Sequence, residues 1–411
     1  MKTLVSVLLA GLTTIVCAAD SAPNSGPKWT VGTPIVTYWA GPQMSDVVAK
    51  QMADGGFNLV WCGEKELDVA ARHHLRAQLQ DPLLSPASLE NPEKHAKLNA
   101  LIDRVRSHPS MYAYFITDEP NSKDFPALGK LVAYLHERDP AHLAYINLFP
   151  TYASNEQLGN AGDKITAYKA HLDGYIQQVR PDLISYDHYQ FSAKGDNPDY
   201  FLNLALIRNA AKSAGLPFLN IMQACTWTPS MRVPTSDEMS YLVYTTAAYG
   251  AKGISYYVYC CDGHTGGIAN KDGTPTPLYS ALGKLNREFV AISGELSKLD
   301  SVDVYHYGML PPGAEALPVN APISIDAPCK DPSFKSGEPV KGILIGLFGK
   351  SSKAPTHAVV VNLDYRNETV AKIRGPHSIS VFDPGSSKWS KPKGKTVDLH
   401  LDHGEGQLLH W

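Results

Sequence analysis

Between Thr33 and Phe289, short apolar runs of strand type alternate with longer stretches of helical period, and the alternation recurs eight times. The runs are PIVTYW (34–39), FNLVWC (57–62), LRAQLQ (75–80), MYAYFIT (111–117), LAYINLF (143–149), DLISYDHY (182–189), PFLNIMQ (217–223) and KGISYYVY (252–259). Amphipathic segments separate them, among them EKHAKLNALIDRVRS (93–107), DFPALGKLVAYLHERD (124–139) and SDEMSYLVYTTAAYG (236–250). The last opens at Ser236 with an acidic first turn and closes on Gly250, as a capped helix does. LYSALGKLNREFVAIS (278–293) supplies a helix after the eighth run. Eight strand-then-helix units over about 250 residues predict a closed (β/α)8 TIM barrel, here spanning 30–295. A doubly wound open sheet would carry a glycine-rich phosphate loop after its first strand, and TYWAGPQMSD (37–46) has none.

From about residue 300 the helical period disappears. GILIGLFG (342–349), HAVVVNLDY (357–365), SISVFD (378–383), TVDLHL (396–401) and GQLLHW (406–411) follow one another, separated by Gly, Pro, Ser and Lys. This pattern predicts an antiparallel β-sandwich over 300–411, with the proline-rich stretch from Leu310 to Glu338 as a long connection.

The N-terminus, MKTLVSVLLAGLTTIVCAAD, joins Lys2 to an apolar run and then to small residues at Ala18 and Ala19. That is the pattern of a secretory signal peptide over 1–19, and it predicts a secreted or periplasmic bacterial protein. No later segment is apolar for long enough to predict membrane insertion after cleavage. Cleavage leaves Cys62, Cys225, Cys260, Cys261 and Cys329, an odd set that permits at most two disulfides. Cys225 with Cys260 or Cys261 is the pairing that neighbouring strands would allow. The net charge is −3 and the basic residues are scattered, so no basic stripe points to a nucleic-acid partner.

In a barrel of this kind the chemistry collects at the C-terminal ends of the strands. Tyr38 and Trp39 follow the first run, Glu64 the second, and Gln80 and Asp81 the third. Asp118 and Glu119 end the fourth and Asn147 the fifth, while Asp187, His188 and Tyr189 end the sixth. Gln223 and Trp227 follow the seventh; Tyr257, Tyr259 and Asp262 follow the eighth. Aromatic rings stack on sugar faces, and fixed carboxylates and amides bind hydroxyls, so the ring of residues predicts a carbohydrate pocket. Phosphorylated ligands would want cations or backbone nests, which this set lacks. No cofactor is predicted, and no metal, because no ligand spacing of the C-x2-C or H-x3-H kind joins His188, His264 and the cysteines.

Glu119 is the strongest single candidate. A carboxylic acid whose pKa is raised by an apolar setting or by a like charge can protonate a glycosidic oxygen near neutral pH. Asp118 supplies the like charge, and Pro120 fixes the turn behind both. The plain structural reading is a helix start, where acids are favoured. For Asp187 and His188, bracing of the pocket wall competes with a direct role.

RSHPSMYAYFITDEP resembles the fourth-strand segment of the barrel glycoside hydrolases of clan A, where the acid/base glutamate stands in an Asn-Glu-Pro or Asp-Glu-Pro context. PTSDEMSYLVYTTAAYGAKGISYYVY (234–259) is similar to the seventh-helix to eighth-strand segment of family 42-like hydrolases. The resemblance implies an O-glycosidase with Glu119 as acid/base. It also implies a nucleophilic glutamate ending the seventh strand, where PFLNIMQACTW offers Gln223 instead. Three readings follow. Asp187 is the second catalytic carboxylate; or Asp118 and Glu119 act together in a substrate-assisted reaction, as the adjacent pair does in family 123; or the barrel binds glycans without cleaving them.

Overall fold

The computed structural model describes residues 27–329, 332–351, 354–392 and 394–411. The leader read over 1–19 lies outside the described residues. Eight parallel strands, each followed by a helix, form the N-terminal domain: β1 Ile35–Val36, α1 Asp46–Asp54, β2 Leu59–Cys62, α2 Leu67–Arg72, β3 Arg76–Leu79, α3 Pro92–Val105, β4 Met111–Asp118 and α4 Phe125–Arg138. The series continues with β5 Leu143–Leu148, α5 Lys164–Val179, β6 Ile184–His188, α6 Tyr200–Ala214, β7 Phe218–Gln223, α7 Ser236–Ala248, β8 Gly253–Tyr257 and α8 Pro277–Glu295. Seven of these strands lie inside a predicted run, and β4 extends its run by one residue, to Asp118.

The sheet order β1-β8-β7-β6-β5-β4-β3-β2 leaves β1 and β2 as the two ends. The Asn58 N–H closes the ring by donating to Val36 O at 3.0 Å, and the Asn58 side chain accepts from Val36 N at 3.0 Å. The strands are covered by helices outside and by one another's side chains inside, which is why they read as near-continuous apolar runs. The interior is a column of Ile35, Leu59, Tyr112, Ala113, Leu143, Tyr145, Leu183, Leu219 and Ile221. Below, Trp29 closes the column; its backbone N–H donates to Pro140 O at 2.7 Å, and the Tyr112 hydroxyl donates to Val31 O at 2.9 Å. Above, Trp39, Phe115 and Tyr257 are only partly buried and open it to solvent.

The C-terminal region holds β9 Asp300–Gly308, β10 Ser324–Asp326, β11 Gly342–Gly349, β12 His357–Asn362, β13 Thr369–Arg374, β14 Ser380–Asp383, β15 Thr396–Leu401 and β16 Gly406–His410. One antiparallel sheet runs β9-β11-β12-β16-β14 with a short strand at 388–389, and the other runs β10-β13-β15. Ile343, Ile345, Val360 and Leu409 face Ile373, Leu399 and Leu401 between the sheets. Their neighbours Leu344, Phe348, Val359, Val361 and Leu408 join the barrel core on the other face. Alternation along the strand serves both layers. The approach to α7 is so close at Gly346 that a Cβ there would sit 1.9 Å from the Ala248 carbonyl oxygen. The described cysteines are all free thiols, so Cys225 is not bonded to Cys260 or Cys261. No described helix is long and apolar enough to cross a membrane.

Candidate active site

The residues ending β4 answer why two acids stand side by side. Along β4, Phe115 pairs with Tyr145 of β5, yet Thr117 pairs with Ile146 and Asp118 with Asn147, so Ile116 is an extra residue in the ladder. Such a bulge shifts the side-chain alternation by one. Phe115 faces the barrel interior, and after the bulge Asp118, not Thr117, faces inward beside Asn147. The next residue would then point away. Glu119 instead takes φ +44°, the left-handed region that a non-glycine residue rarely visits, and its N–H donates to Asn147 O at 2.9 Å. Bulge and left-handed turn together bring both carboxyls into one pocket.

Alternation on β6 sorts Asp187 from His188. Leu183 faces inward, and the same period carries Ser185 and Asp187 into the barrel while His188 points to the helix layer. Asn147 bridges the acids. Its Nδ2 donates to Asp118 Oδ1 at 3.1 Å and to Asp187 Oδ1 at 2.9 Å. Its Oδ1 accepts from Ser185 Oγ at 2.9 Å, and Ser185 Oγ also meets Tyr145 OH at 2.8 Å. A single amide thus ties β4, β5 and β6 together.

The three acids are all held above their ordinary pKa. Burial raises Asp118, opposed by hydrogen bonds from Asn147 and from the Glu119 backbone N–H. Glu119 is pushed up to about 7, first by burial and then by the Asp118 charge, while the Asp187 carboxyl opposes the rise. Asp187 is buried and shifts furthest, through burial first and the Glu119 charge second. Among the described residues its Oδ2 has no hydrogen-bond partner, and Glu119 is the neighbour whose charge acts on the carboxyl most strongly. With no Lys or Arg lining the pocket, nothing neutralises the cluster, so it keeps protons at neutral pH.

A cavity of about 230 Å³ is lined by Trp39, Asp118, Glu119, Asn147, Asp187, Tyr189, Ile221, Trp227 and Tyr257. On one side Trp39 packs edge-on to Trp61 and Phe115, with ring centroids 4.9 and 5.6 Å apart. On the other, Tyr189, Trp227 and Tyr257 interlock at 4.8–5.1 Å. His264 Nε2 lies 3.1 Å from Tyr257 OH. The Trp227 loop is fixed by Cys225–Thr226 pairing antiparallel with Thr265–Gly266.

Eight predicted pocket residues stand elsewhere, among them Gln80, Asp81, whose Oδ1 accepts from Leu83 N at 2.8 Å, and Asp262, which is exposed and pairs with Lys271 at 2.7 Å. Tyr38, adjacent to inward-facing Trp39, falls in the helix layer, packs on Phe57 and Tyr259, and accepts from Trp61 N through its hydroxyl. Tyr259 is buried in that same layer. Glu64 turns outward to a bidentate ion pair with Arg104 of α3. His188 sits between Tyr152 and Tyr200 with Nδ1 on Asn203 Oδ1 at 3.0 Å, and burial lowers its pKa to about 4, so it is neutral. Gln223 is a staple. Its Oε1 accepts from Phe191 N at 2.8 Å, and its Nε2 donates to Phe191 O at 3.0 Å and Arg232 O at 2.7 Å. The β7 residue that lines the pocket is apolar Ile221.

Ser185, Tyr145 and Tyr152 carry parts of the site that the sequence reading does not single out. Ser185 stands two residues before Asp187, so strand alternation alone would have placed it on the same face. Tyr152 follows β5 as the other aromatics follow their strands, and its hydroxyl accepts from Tyr189 N at 3.2 Å.

No family model matches the sequence, and no curated protein matches it. Solved structures do resemble it in fold. A β-galactosidase from a psychrophilic Marinomonas aligns with a TM-score of 0.46 and 11% identity, over 64% of this chain and 60% of its own. A family 99 endo-α-mannosidase from Bacteroides thetaiotaomicron aligns at 0.41 and 12%, over 61% of this chain and 84% of its own. An endoglucanase from Pseudomonas stutzeri aligns at 0.40 and 12%, over 62% and 91%. At these identities the likeness is one of fold.

Proposed function

We propose that the chain is a glycoside hydrolase that cleaves O-glycosidic bonds with Glu119 as general acid/base. The observation that carries this reading is a carboxylic acid held at about 7, at the mouth of a barrel, between two aromatic walls and with no cation beside it. Such a group is protonated often enough near neutral pH to deliver its proton to a leaving oxygen, and ionised often enough to take one back. The rings offer flat apolar faces to a sugar, and the acids and Asn147 accept or donate to its hydroxyls.

Roles divide among the acids by environment. Asp118 receives two opposing hydrogen bonds and is the member that ionises first, so it faces developing positive charge at the anomeric centre or orients a substituent of the sugar. Asp187, protonated, interacts directly with Glu119 and exchanges its proton with it. A carboxyl raised this far by burial and by the Glu119 charge is held protonated and makes a poor nucleophile. This favours the substrate-assisted version, with Asp118 orienting a 2-acetamido group, over an Asp187 nucleophile. The cavity is smaller than pockets of about 300–1,000 Å³ that take drug-sized ligands, which supports a single sugar ring and cleavage from a chain end. The apolar leader over 1–19 supports export from the cytoplasm.

The test is a panel of aryl glycosides and oligosaccharides, including 2-acetamido sugars, assayed with wild type, Glu119→Gln and Asp118→Asn. Loss of the acid/base should lower turnover by about 10²–10⁴-fold. Binding without turnover, unaltered by Glu119→Gln, would sink the enzyme reading in favour of a glycan-binding barrel. No preference for acetamido substrates would remove substrate assistance alone.

A further inference from the structure

At the opposite end of the barrel, beneath the Trp29 plug, lies a cleft of about 890 Å³. Its lining comes from residues that precede strands, such as Pro34, Pro217 and Lys252, and from Asp300–Val302 at the start of β9. It is therefore remote from the acid pocket, which stands where the strands end. This face of a barrel ordinarily serves stability.

Three cations line it: Arg208 and Lys212, one helical turn apart on α6, and Lys252 just before β8. Among the described residues none of the three has a carboxylate within salt-bridge distance. Arg208 Nε donates to Ser301 Oγ at 2.8 Å, and its Nη2 donates to Ser301 O at 3.2 Å. Lys212 Nζ donates to Val302 O at 2.6 Å, and Lys252 Nζ to Leu296 O at 3.0 Å. These acceptors are neutral. Each ammonium uses one of three donors, and the guanidinium keeps donors beyond those on Ser301 and Asn209. Asp182, also in the lining, is engaged by His136 at 2.7 Å, and Asp300 lies exposed at the rim.

Like charges at i,i+4 repel, and buried cations usually find an acid. Burial lowers the pKa of buried Arg208 and half-buried Lys252 and also that of Lys212, whose side chain is otherwise exposed; the Arg208 charge adds to the effect on Lys212, and the charges of Asp300, Asp303 and Glu315 oppose the lowering across the three. Cations whose nearest carboxylates, Asp300, Asp303 and Glu315, stand beyond ion-pair distance keep donors ready for an anion. Trp29, Phe218 and Tyr249 add apolar wall to the same cleft, so there is room for more than a bare ion.

We infer that this cleft binds an oxyanion, a phosphate or sulfate group, through Arg208, Lys212 and Lys252. The occupant is either the free inorganic anion or an ester carried on a small organic body. The site is independent of the glycosidase pocket and does not rest on that reading.

The test uses the full chain at low ionic strength, with sodium phosphate and sodium sulfate compared against sodium chloride of equal ionic strength. Thermal unfolding and titration calorimetry read binding, and glucose 6-phosphate beside glucose separates an ester from the free anion. At ten times its dissociation constant a bound anion should raise the unfolding midpoint by about 2 °C. Lys252→Gln and Lys212→Gln should each weaken binding by about tenfold and the double variant should abolish it. Arg208→Gln is avoided, because Arg208 also ties α6 to β9. Wild-type circular dichroism in the Lys variants confirms that they fold. The inference is overturned if neither anion exceeds chloride, or if the double variant binds as wild type does.

Discussion

Replacing Asp118 by Asn removes one charge and little else. The side chain keeps its size, and the Asn147 amide can still donate to the oxygen at position 118. What changes is the field at Glu119. Its rise from 4.5 to about 7 has burial as the larger cause and the Asp118 charge as the next. At 1.36 kcal/mol per decade, the whole rise corresponds to about 3 kcal/mol of preference for the protonated acid, of which the Asp118 charge supplies the smaller part. Asp118→Asn should therefore lower the Glu119 pKa from about 7 while burial, the larger cause, keeps it above that of an exposed glutamate. A general acid must be protonated to act, so the basic limb of the kcat/KM profile should move to lower pH by the same amount. The profile is measured on the best aryl glycoside from the panel, using whatever residual rate survives. Carbon-13 titration of the Glu119 carboxyl reads the same shift without substrate. A limb or titration that stays at 7, or rises, would refute the reasoning, because Glu119 would then owe its pKa to something other than its neighbour.

Asp187 tests the same cluster through stability. Its folded pKa is raised, so the folded state prefers the protonated form; that contribution is complete below the unfolded value near 3.8 and disappears as pH climbs through the folded value. Wild type should lose stability as pH climbs above 3.8 and Asp187→Asn should lose about 1–3 kcal/mol less, as scanning calorimetry at successive pH values will read; parallel curves would contradict it. Gln223→Glu, the change that would supply an acid on β7, should fail as a restoration. It places a carboxylate against the carbonyls of Phe191 and Arg232 in place of a donor, so urea titration should find about 3 kcal/mol or more of stability lost and assays no gain in rate. A variant as stable as wild type would remove the staple role. Gly346→Ala drives a methyl into the Ala248 carbonyl and should cost about 2 kcal/mol or more, with limited proteolysis faster near the junction of barrel and sandwich; unchanged proteolysis would show that the contact yields.

The barrel was legible because its strands are buried on both sides, so each announces itself as a continuous apolar run such as LAYINLF. The sandwich strands were harder. β13, TVAKIR, has alternating exposure, with Lys372 and Arg374 on its wet face, and it merges with the loops around it. β9 begins with Asp300 and carries Asp303 and His306, which hides Val302 and Val304. At the site, strand ends told which residues approach the pocket but not which way they face. Tyr38 and Trp39, or Asp187 and His188, are separated by the parity of the strand, and parity depends on register. On β4 the bulge at Ile116 resets that parity, and no local signal in MYAYFITDEP marks it. The Glu64 ion pair and the Gln223 staple depend on partners 40 and 32 residues away, Arg104 and Phe191, which only the closed barrel brings near.

Glu119 is joined to a backbone that would suit glycine better. The left-handed φ costs a side-chain-bearing residue roughly 1–2 kcal/mol, and a half-buried, proton-hungry carboxyl adds to the burden. Selection for robustness alone would readily empty this position, since the gain is available from one substitution that leaves the barrel intact. The residue at 119 thus serves as a gauge of what a lineage is selected for. If Glu119 is the acid/base proposed above, a descendant with glycine or asparagine there would be a sturdier barrel relieved of that chemistry, whereas a persistent acid at this strained position would mark a chain still selected for it.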